Sequence, residues 1–145
     1  MSTFSALVPE ALVKSNLVLS SLIILAACAT DAPRVELLGP DGPIFAGDSL
    51  TVRFRAAGIA IVGATGTATA GEAHHHLFID RDPTPEGEVI PKADGIVHLG
   101  TGADSLRLAL PVGTHRLIAV LASGDHVPVA GAARDTLEVV ITPRP

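Results

Sequence analysis

The sequence predicts an all-β protein, a small immunoglobulin-like antiparallel β-sandwich of about seven strands behind an N-terminal signal segment. Three observations lead there. Apolar and polar residues alternate over short stretches, most cleanly in "SLTVRF" at 49–54. The 14 glycines and 11 prolines punctuate the chain between those stretches. No segment beyond the leader carries a helical period of useful length.

The elements follow in order. Residues 17–27, "LVLSSLIILAA", form an apolar run preceded by Lys14 and too short to span a bilayer comfortably, so 1–27 reads as a signal peptide. The run ends in Leu25-Ala26-Ala27-Cys28, small residues before the chain's single cysteine, as in a bacterial lipobox. Cys28 is therefore the expected lipidation site, and acyl chains on it would hold the protein on a membrane. The same cysteine has no partner for a disulfide. Residues 28–33 are a lipidated tether and 34–145 the sandwich domain, lipid-anchored in the bacterial cell envelope and facing the periplasm or the exterior.

Within the domain, Arg34 to Leu38 reads as a first strand and "GPDGPIFAGD" as turn chemistry. In 49–54, Leu50, Val52 and Phe54 share one face. A short apolar segment, Ile59 to Val62, leads into a loop rich in Gly, Ala and Thr, from which the strand "HHHLFID" emerges. "RDPTPEGEVIPKADG" at 81–95 is a long polar loop of the kind that often carries function, hence a candidate binding rim. Strands at 96–99, 105–110, 114–121 and 135–141 complete the domain.

Composition excludes several roles. With 48% hydrophobic but 3% aromatic residues, no Trp and no Tyr, the core must come from Val, Ile, Leu and Ala, and no aromatic platform for bases exists. The net charge of −5 and the scatter of ten Lys and Arg along the chain argue against nucleic acid and against an anionic surface as partners. No glycine-bracketed nucleophile or free thiol is present, and the acids at Asp80, Asp82, Glu86 and Glu88 sit in or beside a solvated loop. The expectation is a protein that is not an enzyme.

Half of the six histidines lie in "GEAHHHLFID" at 71–80. Strand alternation puts His74, His76, Phe78 and Asp80 on one face and His75, Leu77 and Ile79 on the other, the latter being the natural core positions. Imidazoles at i and i+2 can converge on one ion, with His98 and His126 as further ligands. Asp80, His75 and Asp125 would support them. Without a free thiolate or an internal thioether, the expected ion is Zn(II) or Cu(II). His115, at the start of a strand and sharing a face with Leu117, Ala119 and Leu121, reads instead as structural. The competing reading is a structural or protein-interaction immunoglobulin-like module in which all these histidines make local hydrogen bonds and no metal is bound.

From Gly58 onward the chain resembles the bacterial domain of unknown function family 4399. The likeness is carried by "GEAHHHLFID", "VIP" at 89–91, "VHLGTG" at 97–102, "PVGTHRLIAVL" at 111–121 and "DHVPV" at 125–129. The resemblance implies a secreted or envelope-attached small β-sandwich of no established activity. His74, His75, His76, His98, His115 and His126 all fall on histidines of the family pattern. Members often read "HVPH" where this chain has Val129 in the last place, so a second histidine there is lost.

Overall fold

The computed structural model describes residues 31–145, and the expected signal segment, Cys28 and the start of the expected tether lie outside them. Nine strands follow in chain order: β1 Arg34–Leu38, β2 Ile44–Phe45, β3 Leu50–Ala57, β4 Ala60–Ile61, β5 Glu72–Ile79, β6 Ile96–Leu99, β7 Ser105–Leu108, β8 Gly113–Ala122 and β9 Asp135–Thr142. They form a three-stranded sheet, β1-β3-β7, and a six-stranded sheet, β2-β9-β8-β5-β4, with β6 also paired to β5. The β-sandwich expected from the alternation is what forms. The count exceeds seven because of two-residue pieces, β2 and β4, which pair in parallel with β9 and β5. β2 lies inside the glycine- and proline-rich stretch that reads as pure turn: Ile44 is buried there, and a single apolar residue between turns carries no period to betray a strand.

The sandwich core joins the two sheets face to face. Val35, Leu37, Leu50, Val52 and Phe54 of the small sheet pack on Leu77, Leu117, Ala119, Leu121, Val139 and Ile141 of the large one. With so few aromatics in the chain, Phe54 is a principal filler, and its partner across the gap is the ring of His75, stacked at 4.9 Å.

The outer face of the large sheet carries a second, smaller core. Phe78 of β5 and Ile118, Val120 and Ala122 of β8 are covered by Ile90, which reaches down from the 81–95 loop, with Ile96 beside them. Glu88 to Pro91 would otherwise be solvated loop; Ile90 is 4% exposed, and its N–H donates to the His126 carbonyl at 2.8 Å. Arg81 donates to the Asp94 carbonyl and Glu86 accepts from Gly131 N–H, so both arms of the loop are tied down. Ile90→Ala should cost about 2 kcal/mol, the low end for a buried isoleucine because a loop can collapse. Urea unfolding would measure that cost, and faster proteolysis at 81–95 would accompany it.

Arginines that are scattered along the chain gather on the outward face of the small sheet, because Arg34, Arg53, Arg55 and Arg107 alternate with its buried residues. Arg34 pairs with Asp31 at 3.5 Å and Arg55 with Glu36 at 3.1 Å.

Candidate metal centre

The site grows out of the register of β5. His74, His76 and Phe78 occupy its outer face and Ala73, His75 and Leu77 its inner one, as alternation requires. His76 lies directly opposite His98 on β6, and His74 opposite Ala122, the last residue of β8. Residues directly opposite on one face bring their Cβ atoms within about 4.5–5.5 Å, so the first pairing sets His98 beside His76. The second sets the 123–126 turn, which leaves β8 at Ala122, beside His74.

That turn is held tightly. The Ser123 hydroxyl donates to the Asp125 carboxylate and lies 2.9 Å from the Val127 carbonyl, and the His126 N–H donates to the Ser123 carbonyl. His126 adopts φ 68°, a left-handed conformation unusual for a side-chain-bearing residue, and its ring is thereby turned back over the sheet. The four rings gather in one place. His74 lies 4.9 Å from His76, 4.9 Å from His98 and 5.0 Å from His126, centroid to centroid. His98 and His126 are 4.6 Å apart, and the widest separation, His76 to His126, is 5.7 Å.

Nitrogen positions are more selective than ring centres. One nitrogen from each of His74, His76 and His98 lies within 4.8 Å of the others, and these three could hold a metal ion. The Nε2 atoms of His74 and His76 are 3.0 Å apart. Two nitrogens about 2.0–2.1 Å from a common ion are about 3.3 Å apart in a tetrahedron and about 2.9 Å apart in a square plane, so the observed spacing fits either. His126 stands next to this group, with Nδ1 directed to the Gly124 carbonyl at 3.3 Å.

His74 and His76 are 0% and 2% exposed, whereas His98 is open to solvent. Burial, reinforced by the neighbouring imidazoles, lowers the pKa of His74 to about 4 and that of His76 to about 3. His98 is lowered by the same two causes, burial first and then His126. All three shifts favour the neutral ring, the form in which imidazole binds metals. The Nδ1 atoms of His74, His75 and His76 are buried and have no hydrogen-bond partner among the described residues.

The supporting residues expected from sequence do not join this group. His75 faces the sandwich core against Phe54, where burial lowers its pKa to about 4. Asp80 departs from the strand with φ 56°, which ends the alternation and releases it from the face of His74 and His76. Its carboxylate accepts from His115 Nδ1 at 2.6 Å and from the Arg116 N–H at 2.8 Å. Asp125 is taken up by Ser123, whose hydrogen bond holds its carboxyl below the ordinary range.

His115 behaves as expected of a structural histidine. Its Nδ1 meets Asp80 and its Nε2 the Pro111 carbonyl at 2.9 Å. A carbonyl can only accept, and the same contacts favour the ionised form of Asp80, so both partners favour the doubly protonated ring. The hydrogen bond to Asp80, then that to Pro111, raises its pKa.

Sequence reading missed Gly100 and the residues beside the cluster on the loop. A Cβ at Gly100 would run into the ring of His98, so this glycine leaves the space in which that imidazole lies. Gly100→Ala is expected to displace His98 and weaken metal affinity by about 10–100-fold, the size of effect seen when a ligand loses its orientation. Calorimetric titration would read it, and an unchanged circular dichroism spectrum would show the fold kept. The apolar "VIP" inside an otherwise polar loop was the available signal for Ile90.

No curated protein matches the chain in sequence. The structure is similar to the fibronectin(III)-like modules of Clostridium thermocellum CbhA, with a TM-score of 0.45 and 14% identity over 77% of this chain and 99% of that one. The Domain of unknown function (DUF4399) matches residues 52–142, a span that holds β5, β6, β8 and all six histidines, and the chain belongs to that family.

Proposed function

We propose that the protein binds one divalent transition metal ion, Zn(II) or Cu(II), through His74, His76 and His98, with His126 beside them. The observation that carries this reading is the convergence of three nitrogens from two strands within 4.8 Å. Neutral imidazoles are borderline ligands that suit these two ions, and the group contains no thiolate that would favour a softer one.

The contrast with His115 supports metal binding over local hydrogen bonding. His115 satisfies both of its nitrogens with protein acceptors. His74 and His76 meet only each other through Nε2, with no carboxylate or carbonyl acceptor there, and that close pair is free to turn both nitrogens onto one ion. The lipobox-like run from Leu25 to Cys28 supports a place for the protein on the bacterial cell envelope, anchored by lipid and turned away from the cytoplasm. On this reading it is a binding protein rather than an enzyme.

Calorimetric titration of the purified protein with Zn(II) and with Cu(II) tests the proposal. One ion per chain at micromolar affinity or tighter is the expected result. Absence of saturable binding of either ion would reject it.

A further inference from the structure

Beside the imidazoles lies a cavity of about 380 Å³. It is lined by the apolar residues Ile90, Pro91 and Ile96 and by Lys92, while the side chain of Val97, on the other face of β6, packs into the sandwich core. His76, His98 and His126 of the cluster complete the lining. The size falls in the range of small-molecule pockets, and the mixture of apolar walls with a few convergent polar groups is what such pockets share.

Charge indicates what would enter. Every member of the proposed donor group is a neutral imidazole, so an ion held there would keep its full double positive charge. Two nearby carboxylates are committed elsewhere, Asp80 to His115 and Arg116, Asp125 to Ser123, and Glu72, two residues before His74, is not among the residues lining the cavity. Lys92 adds a further positive charge and has no acidic partner among the described residues. Three protein ligands leave a position on Zn(II) for an outside one.

We infer that the cavity receives a small monocarboxylate with an aliphatic tail, its carboxylate on the open metal position and toward Lys92, its tail against Ile90, Pro91 and Ile96. This rests on the metal reading above. Dispersion and burial on the apolar wall should make affinity grow with tail length, by about fourfold per methylene until the wall is covered.

The test is a titration of the Zn(II)-loaded protein with acetate, butanoate and hexanoate, with hexanamide as the uncharged control. Hexanoate should bind at least tenfold more tightly than acetate, hexanamide should bind weakly or not at all, and metal-free protein should not bind hexanoate. Lys92→Gln should weaken hexanoate several-fold while leaving Zn(II) affinity unchanged. A flat response to tail length, equal binding of hexanamide, or hexanoate binding to the metal-free protein would each overturn the inference while leaving the metal site standing. Failure to take up Zn(II) in the first step would overturn both.

Discussion

Replacing His74 and His76 together with alanine is expected to take Zn(II) and Cu(II) binding below detection. Loss of a hydrogen-bonding partner behind a ligand already costs about 10–100-fold in metal affinity, and here two of three ligands go. The two residues supply the close Nε2 pair at 3.0 Å, so His98 and His126 would be left without the deeper half of the site. Both lost side chains face the outer core, so the metal-free variant must be compared with the metal-free parent by thermal unfolding. A variant that folds and still binds one ion with parental affinity would place the metal elsewhere and make the cluster structural.

Acid should unfold the metal-free protein well before its carboxylates are protonated. His74, His75 and His76 have folded pKa values of about 4, 4 and 3 against 6.5 when exposed. Between those values the unfolded chain binds more protons than the folded one, so stability falls as pH falls. Their contribution is intact above pH 6.5 and is lost progressively toward pH 4 and 3. A pKa that differs by one between the folded and unfolded chain corresponds to about 1.4 kcal/mol, so the three together remove stability on the order of several kcal/mol, a large share of what a small domain has.

His115 acts in the opposite direction. Its raised pKa gives stability that is complete below pH 6.5 and lost as pH climbs through the folded value. One raised histidine against three strongly lowered ones leaves acid lability as the net result. Urea unfolding across pH 4 to 8 would show a midpoint that drops below pH 6.5, and His75→Leu would lessen the drop. A midpoint flat from pH 7 to 4.5 would contradict the argument. Saturating Zn(II) should shift the drop to lower pH, since the ion binds the neutral rings.

Much of the site was legible because β5 obeys strict alternation. Leu77 and Ile79 fix the inner face from sequence, and His74 and His76 then have to lie outside. That His98 and His126 were the residues to join them followed from elimination, not from spacing. Their meeting depends on β6 pairing His98 with His76 and on β8 ending at Ala122, neither of which a local pattern encodes. Asp80 was misread because alternation was carried one residue too far: its positive φ and its capture by His115, distant in sequence, are tertiary facts. The second core escaped notice because it hangs on one isoleucine in a loop of prolines and charges.

β5 serves two cores at once, His75 and Leu77 packing inward while His76 and Phe78 pack outward, so no edge of the strand is free to absorb an error. A one-residue insertion or deletion within Glu72–Ile79 would exchange the two sets, pressing the outer-face imidazoles onto the sandwich core and turning His75 out among the loop apolars. Length changes in this family should accordingly fall in the 63–71 and 81–95 loops, and a natural variant of β5 should differ by substitution and never by a single-residue gap.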